Sequence, residues 1–128
     1  MGFIPNPFII KMGDRISISF TDGQTESIAL FNSYWGQELL ETALKYLKEI
    51  KYVNDKHKSN PFTRKEARVI MLDFIRWLNV DFRKESFYLG KDFNDGDNSD
   101  NGHFKINIFT GEAEFLLTHA QINLYHNL

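Results

Sequence analysis

The sequence predicts an α+β fold, with an antiparallel sheet built from two β-hairpins (about five strands) and two α-helices packed on one face. Two alternating apolar runs, in residues 15–30 and 104–117, each reverse at a glycine and predict the hairpins. Two apolar stripes with helical spacing lie between them and predict the helices. By length the 128 residues form one domain. We assign residues 12–128 to this domain and residues 1–11 to an apolar N-terminal arm.

The N-terminal arm is apolar, but Pro5 and Pro7 interrupt it and it is too short to span a bilayer. It also lacks the basic start and the small-residue cleavage site of a signal peptide, so we expect no membrane association. The chain contains no cysteine, which removes disulfides and thiolate chemistry and fits a cytoplasmic location.

Charge is unevenly distributed along the chain. Lys45–Arg68 holds eight basic and three acidic residues, whereas Lys91–Glu114 holds two basic and six acidic residues. The two segments are either solvated or complementary surfaces that meet within or between molecules. In the basic segment Tyr46, Tyr52 and Phe62 could stack on nucleic-acid bases. The net charge of −2 and the lack of a recognised motif argue against such a partner.

The first hairpin can be analysed by the parity of its strands. Residues that face each other in an antiparallel pair share one face of the sheet, so the apolar positions on both strands must match. A three-residue loop, residues 21–23, gives this match, and it predicts a positive φ at Gly23 and a pairing of Ile16 with Ile28. We expect the other face to contact water, because it carries the hydroxyls of Ser17, Ser19, Thr25 and Ser27.

This stretch resembles a set of small proteins, mostly encoded by phages or prophages and of unknown function. Those proteins begin M-G-D-R, form a D-G hairpin and then show an aromatic-x-x-H-W-G signature. The positions that fit are Met12, Gly13, Asp14, Arg15, Asp22, Gly23, Phe31, Trp35 and Gly36. Tyr34 stands in place of the histidine, and a weaker likeness continues through Asn60–Phe62 and the last hairpin. The resemblance implies no assigned activity.

Two amphipathic patterns predict the helices. The first pattern follows Gly36, with an apolar stripe at Leu40, Ala43, Leu44, Leu47 and Ile50. The second pattern begins at Thr63–Glu66, which has the spacing of a capping box, and predicts a helix over Arg64–Leu78. Apolar residues surround most of this second helix, so we expect it to be buried on more than one side, either inside the fold or at a subunit contact.

The C-terminal third predicts further strands. Phe87–Leu89 predicts a short strand. In the last hairpin Phe104, Ile106 and Ile108 alternate inward, and Ala113, Phe115 and Leu117 return. The parity of this hairpin requires a loop of two or four residues centred on Thr110–Gly111. For the tail we expect a short strand through Ile122 and Leu124.

The segment 92–103 is rich in Asp and Asn. Within it, a pattern that begins at Asp97 matches the first eight positions of an EF-hand loop. Ile108 then occupies the position that requires a bidentate glutamate, which argues against an EF-hand. Two interpretations stay open: a mobile solvated loop, or a weak divalent-cation site with oxygen and nitrogen ligands. The candidate ligands are Asp95, Asp97, Ser99, Asn101 and His103. No other cofactor is indicated.

Catalytic motifs do not stand out in the sequence. The histidines are His57, His103, His119 and His126, and none has the spacing of a metal-binding pair. His103 could meet Asp100 at the base of the loop, although an isolated histidine at a strand edge is usually solvated. Serine-nucleophile and phosphate-binding glycine motifs are absent from the sequence. These observations favour a protein without enzymatic activity.

Apolar side chains on the face expected to contact water, together with an aromatic cluster at the strand-to-helix junction, suggest an interaction surface. Its candidate residues are Phe31, Tyr34, Trp35, Phe109 and Leu116. The aromatic cluster at the strand-to-helix junction could instead only staple the hairpin to the helix. Together with the apolar arm, these residues predict self-association, with a homodimer as the simplest form. The sequence thus predicts a non-enzymatic protein-interaction module; the alternative is a weak divalent-cation or small-ligand binding protein that uses the loop 92–103.

Overall fold

The structure, a computed structural model, describes residues 13–56 and 66–117, and the predicted arm and C-terminal strand lie outside these ranges. In chain order the elements are β1 (Ile16–Thr21), β2 (Ala29–Asn32), α1 (Gln37–Lys56), α2 (Ala67–Leu78), β3 (Phe87–Gly90), β4 (His103–Asn107) and β5 (Ala113–Leu116). The described strands form one sheet in the order β3-β2-β1-β4-β5, against which both helices pack. This architecture confirms the α+β class and both hairpins.

The two hairpins join through a parallel pair of strands. β1 lies parallel to β4, from Ser17 opposite His103 to Thr21 opposite Asn107, whereas the other three pairs are antiparallel. The expectation of a wholly antiparallel sheet is therefore wrong at its centre. Alternation of apolar residues shows which side chains share a face, but it carries no information on the direction of a neighbouring strand.

Aromatic rings dominate the core between sheet and helices. Phe20 of β1 meets Phe74 of α2 edge-on, with ring centroids 5.6 Å apart, and Tyr46 of α1 packs on both rings. The Tyr46 hydroxyl donates a hydrogen bond of 2.8 Å to Asp73, and burial raises the pKa of this tyrosine. Tyr46 is fully buried, so the expectation that it could stack on nucleic-acid bases is wrong.

The first hairpin confirms one part of the turn prediction and corrects the other. Gly23 has φ = +92°, as predicted. Ile16, however, lies opposite Asn32, so the predicted pairing with Ile28 and the three-residue loop are wrong. Even-numbered residues still face even-numbered residues along the paired strands, but the register is displaced by four positions.

A later turn and a β-bulge in the returning chain together explain the displacement, the turn by three positions and the bulge by one. Thr21 pairs with Glu26, so the loop between them has four residues. Beyond this pair the Ser27 amide donates to the Phe20 carbonyl at 2.8 Å, while the Ser27 hydroxyl accepts the Phe20 amide at 2.9 Å. A hydroxyl thus replaces a backbone carbonyl, and the returning chain gains one residue. Ile28 lies in this bulge and is 44% exposed.

The second hairpin has the predicted parity. Ile106 lies opposite Ala113, and the Asn107 amide donates to the Glu112 carbonyl at 2.9 Å. The loop therefore has four residues, 108–111, which confirms an even loop. Its centre lies one residue before the predicted one.

Helix α2 begins three residues later than predicted. Glu66 has extended dihedrals, φ −117° and ψ 137°, so it precedes the helix, whereas the predicted capping box places it in the first turn. Thr63, the other residue of that box, lies outside the described residues. Asp22, in the turn of the first hairpin, instead accepts the Ala67 amide at 3.0 Å. The bonds to Thr25 and Ala67 hold the pKa of Asp22 well below its usual value. The hairpin turn is therefore fastened to the start of the helix.

The apolar residues of α2 do not all enter the core. Ala67, Ile70, Met71 and Phe74 are buried on one side of the helix. Leu72, on the other side, is 68% exposed. Leu72 is therefore not buried inside the fold, and its burial at a subunit contact stays a prediction.

Replacing Gly23 by valine should lower the free energy of unfolding by about 1–2 kcal/mol. A Cβ at this position would meet no other atom within 4 Å, so the cost comes from the positive φ alone. Chemical denaturation can measure it, with Gly23→Asn as the control, because asparagine tolerates a positive φ better than valine. Equal losses in both variants would contradict this account.

Candidate functional site

The acidic loop, residues 91–102, covers the face of the sheet opposite the helices. Ser17 and Ser19 point to this face, and both are buried. Asn98 of the loop is also buried, and the Phe93 ring lies 5.6 Å from the ring of His103. The expectation that this face contacts water is therefore wrong at Ser17 and Ser19. The loop packs on the sheet through Phe93 and Asn98, whereas its four aspartates are exposed, as expected for a solvated loop. Parity shows which residues share a face, but it does not show what covers them.

Phe31 is part of this covered face. Its ring stacks on Tyr88 with centroids 5.0 Å apart and planes within 4°, and its side chain is fully buried. A Cβ on Gly96 of the acidic loop would lie 2.8 Å from both rings, so the loop packs directly on the pair. The Tyr88 hydroxyl accepts the Asp97 amide at 2.8 Å. Phe31 therefore does not belong to an exposed surface in this structure.

A hydrogen-bonded cluster lies under the loop with His103 at its centre. The Nδ1 atom of His103 lies 2.6 Å from the Ser17 hydroxyl, and its Nε2 atom lies 2.9 Å from the Ser19 hydroxyl. Ser19 donates to a Glu26 carboxylate oxygen at 2.6 Å. The Asn98 amide donates to the Ser17 hydroxyl at 2.8 Å. Five side chains thus form one continuous chain of hydrogen bonds.

The two ends of this chain determine its direction. The Asn98 amide nitrogen can only donate, so Ser17 accepts from it, and the Ser17 proton is free to point to Nδ1 of His103. The ionised Glu26 carboxylate can only accept, so Ser19 donates to it and accepts the proton on Nε2 of His103. Every donor then has an acceptor when His103 is neutral with its proton on Nε2.

The surroundings of His103 favour this neutral form. Burial, with a smaller contribution from the charge of Lys105 on the same strand, lowers the pKa of His103 to about 4. The carboxylate of Asp92 acts in the opposite direction but does not offset the burial. At neutral pH the cluster therefore holds no imidazolium.

Arg15 fastens the rim of the loop. Its guanidinium donates to Asp97 at 2.8 Å and lies 3.1 Å from an oxygen of Asp100. Its backbone amide donates to the same Asp100 oxygen at 2.9 Å. The Ser99 hydroxyl and the Arg15 guanidinium lower the pKa of the Asp97 carboxyl. Two of the four loop aspartates are thus engaged by a cation of the protein itself.

Asp14 links the same loop to the start of α1. The Asn101 side chain donates to an Asp14 carboxylate oxygen at 2.7 Å. The Gly36 amide donates to the Asp14 carbonyl at 2.9 Å. Gly36 has φ = +57°, and a Cβ on it would overlap the Asp14 carboxylate. The close approach of these two residues therefore requires glycine at position 36.

The candidate metal ligands do not converge. They are Asp95, Asp97, Ser99, Asn101 and His103. Asp95 accepts the Lys91 amide at 2.9 Å, Asp97 accepts the Ser99 hydroxyl at 2.7 Å, and both ring nitrogens of His103 are bonded to serines. Within residues 13–56 and 66–117, no three acidic or histidine side chains are grouped so that they could hold a metal ion.

The candidate interaction residues divide between different parts of the sheet. Tyr34 is 60% exposed beside Trp35, whose ring meets Phe87 of β3 edge-on at 5.0 Å. Phe109, 52% exposed, belongs to the β4–β5 loop, and Leu116 lies on β5 at the opposite edge of the sheet. With Phe31 buried, the structure does not bring these five residues into one surface.

Sequence reasoning missed the cluster around His103. Ser17 and His103 are 86 positions apart, and neither has a neighbour in sequence that suggests the other. The available signals were the S-x-S alternation in β1 and a histidine at a strand start. Their meeting depends on the parallel pairing of β1 with β4, which the sequence pattern does not show.

Comparison of the chain with protein-family models, characterised proteins and solved structures gives no match. Neither α1 nor α2, the helices of the described part of the chain, is long and apolar enough to cross a membrane. The functional argument therefore depends on the geometry of this molecule.

Proposed function

We propose that this protein is a non-enzymatic protein-interaction module, which forms a homodimer by pairing β3 with β3 of a second copy. The observation that carries the proposal is the character of this outer strand. Its sequence, F-Y-L-G, has no charge and no proline, and Leu89 is 52% exposed. No described strand lies beyond β3 in the sheet. Outer strands of monomeric proteins are usually protected by charges, proline or bulges, because their free backbone groups can pair with another chain.

The opposite outer strand supports the choice of β3. β5 carries Glu114, whose carboxylate lies 3.4 Å from the ammonium group of Lys105. A charged pair at a sheet edge opposes strand addition, because pairing would remove water from it. β3 has no comparable protection in its own sequence.

Aromatic side chains continue the apolar character beside β3. Trp35 and Phe82 both pack edge-on against Phe87, at 5.0 and 5.5 Å. Tyr34 is exposed next to Trp35. Tryptophan and tyrosine are over-represented among the residues that dominate binding energy at interfaces. An antiparallel β3–β3 pair about a two-fold axis would place this group beside the same group of the partner.

The position of the reactive side chains supports a binding role over a catalytic one. His103, Ser17 and Ser19 are all buried beneath the acidic loop, so a substrate would not reach them in this conformation. We include a cytoplasmic location in the proposal, because the cysteine-free sequence suits a reducing compartment.

Sedimentation velocity at micromolar concentration tests the proposal with two matched variants. We expect the unchanged protein to sediment as a dimer and Leu89→Lys as a monomer, because lysine on an edge strand opposes pairing. Leu72→Lys adds the same charge at a still more exposed site on α2 and should stay dimeric. Circular dichroism verifies that both variants fold. A monomeric unchanged protein, or a dimer that survives Leu89→Lys, would refute the β3 interface.

A further inference from the structure

We propose that the acidic loop, residues 91–102, is a pH-sensitive cover, which protonation of the His103 imidazole releases from the sheet. In the closed position the acidic loop buries the Phe31 ring and the hydroxyls of Ser17 and Ser19. In the open position the loop would expose this apolar and hydroxyl-bearing face of the sheet to solvent or to a ligand. The inference does not depend on the proposed dimer.

The hydrogen-bonded cluster pairs every donor with an acceptor only when the imidazole carries one proton. A second proton, on Nδ1 of His103, would point at the Ser17 oxygen, which would then have to accept from both His103 and the Asn98 amide. The Ser17 hydroxyl would at the same time lose the nitrogen that accepts its own proton. Asn98 belongs to the loop and is buried in the same cluster, so its displacement is the direct way to relieve the conflict.

Charged groups face His103 from the first hairpin, from the acidic loop and from β4. Glu26, after the first hairpin turn, has an oxygen 3.9 Å from Nε2, and Asp92 of the loop also favours the imidazolium. Lys105 on β4 opposes it. At the rim, the carboxylates of Asp97 and Asp100 pair with Arg15. Burial of the ring outweighs the favourable charges, and opening of the loop removes that burial.

The direction of the effect follows from proton linkage. In the closed form the pKa of His103 is about 4, whereas a hydrated imidazole has a pKa of about 6.5. The open form therefore binds more protons between these values, so acid shifts the equilibrium toward opening. The closed-to-open ratio should fall as pH decreases from about 6.5, by about 300-fold once pH is well below 4. Between pH 7 and pH 4.5 the expected decrease is about 50-fold.

Amide hydrogen exchange measured by NMR tests this equilibrium in the intact chain. The reporters are the Asn101 amide, bonded to the Arg15 carbonyl, and the Gly102 amide, bonded to the Asn98 carbonyl. After correction for the intrinsic rates, we expect their protection factors to fall about 50-fold from pH 7 to pH 4.5. The Phe74 amide in α2 should remain better protected at both pH values. A low concentration of urea should accelerate amide exchange at Phe74, which requires global unfolding. It should leave the exchange rates of Asn101 and Gly102 unchanged, because local opening of the loop exposes little surface.

Two variants distinguish the effect of protonating His103 from the effect of the carboxylates that bind Arg15. His103→Gln cannot gain a proton in this range, so the pH-dependent decrease should disappear. Asp97→Asn removes one rim ion pair and should lower protection at every pH, while the decrease between pH 7 and pH 4.5 remains. A decrease that persists in His103→Gln would overturn the proposal.

The unchanged protein provides a test that does not require His103→Gln to fold. Nitrogen chemical shifts of the His103 ring should show a neutral imidazole with its proton on Nε2 at pH 5.5. A charged ring at that pH would overturn the proposal. So would loop amides with the same protection and urea dependence as Phe74, because the loop would then open only on global unfolding.

Discussion

Replacing Phe31 by alanine should lower the free energy of unfolding by about 3–5 kcal/mol, the usual cost of emptying a fully buried aromatic site. The ring lies between the sheet and the acidic loop and stacks on Tyr88, so its removal leaves a cavity that both layers line. Urea denaturation followed by circular dichroism measures the loss.

Tyr34→Ala provides the matched control for this prediction. Tyr34 belongs to the same aromatic stretch but is 60% exposed, so its truncation should change the stability of the monomer by no more than about 0.5 kcal/mol. Similar effects of the two substitutions would show that the acidic loop does not cover Phe31 in solution.

Gly36→Ala should lower the free energy of unfolding by about 2–4 kcal/mol. About 1–2 kcal/mol comes from the positive φ, and the remainder comes from displacing the Asp14 carboxylate, which accepts a hydrogen bond from Asn101. Thermal or urea denaturation measures the total loss.

Gly23→Ala isolates the two parts of this cost. Gly23 also has a positive φ, but a Cβ there meets no atom within 4 Å, so its replacement should cost only the dihedral part. In an Asp14→Ala background the additional cost of Gly36→Ala should fall to the value at Gly23, because the overlapping group is gone. An undiminished cost would place the strain elsewhere.

Local patterns in the sequence predict those parts of the fold that depend on neighbouring residues. The positive φ of Gly23 and the even loop between β4 and β5 follow from alternation and turn chemistry. The register of the first hairpin does not, because the turn takes four residues, 22–25, and the Ser27 hydroxyl replaces a backbone carbonyl and adds a bulge. The start of α2 depends on Asp22, 45 residues before Ala67. Periodicity within a window has no access to such contacts.

The candidate site shows the same limit. Asp and Asn in the acidic loop suggested either ligands or a solvated turn, since both residue types suit both roles. In the structure Asp97 and Asp100 bind Arg15, while Asn98 enters the sheet face. Their role as a cover becomes visible only when Arg15 and His103, far apart in sequence, are placed on the same face.

Positions that carry the resemblance to phage-type proteins have clear physical constraints here. Asp14 and Arg15 hold the acidic loop, Asp22 accepts the first amide of α2, and Gly36 fits against Asp14. Tyr34, in place of the signature histidine, is exposed. The relation to those proteins stays a prediction, but these contacts would give the signature a structural meaning.

The parallel pairing of β1 with β4 has a consequence for how the chain acquires its structure during synthesis. His103 is synthesised 86 residues after Ser17. At a synthesis rate of roughly 5–20 residues per second, this interval lasts about 4–17 s. Until then β1 can pair only with β2, which takes β3 on its other edge, so the edge of β1 that β4 later covers stays open. The centre of the sheet is therefore completed among the last events of folding, and the nascent chain exposes its apolar strand edge throughout that wait.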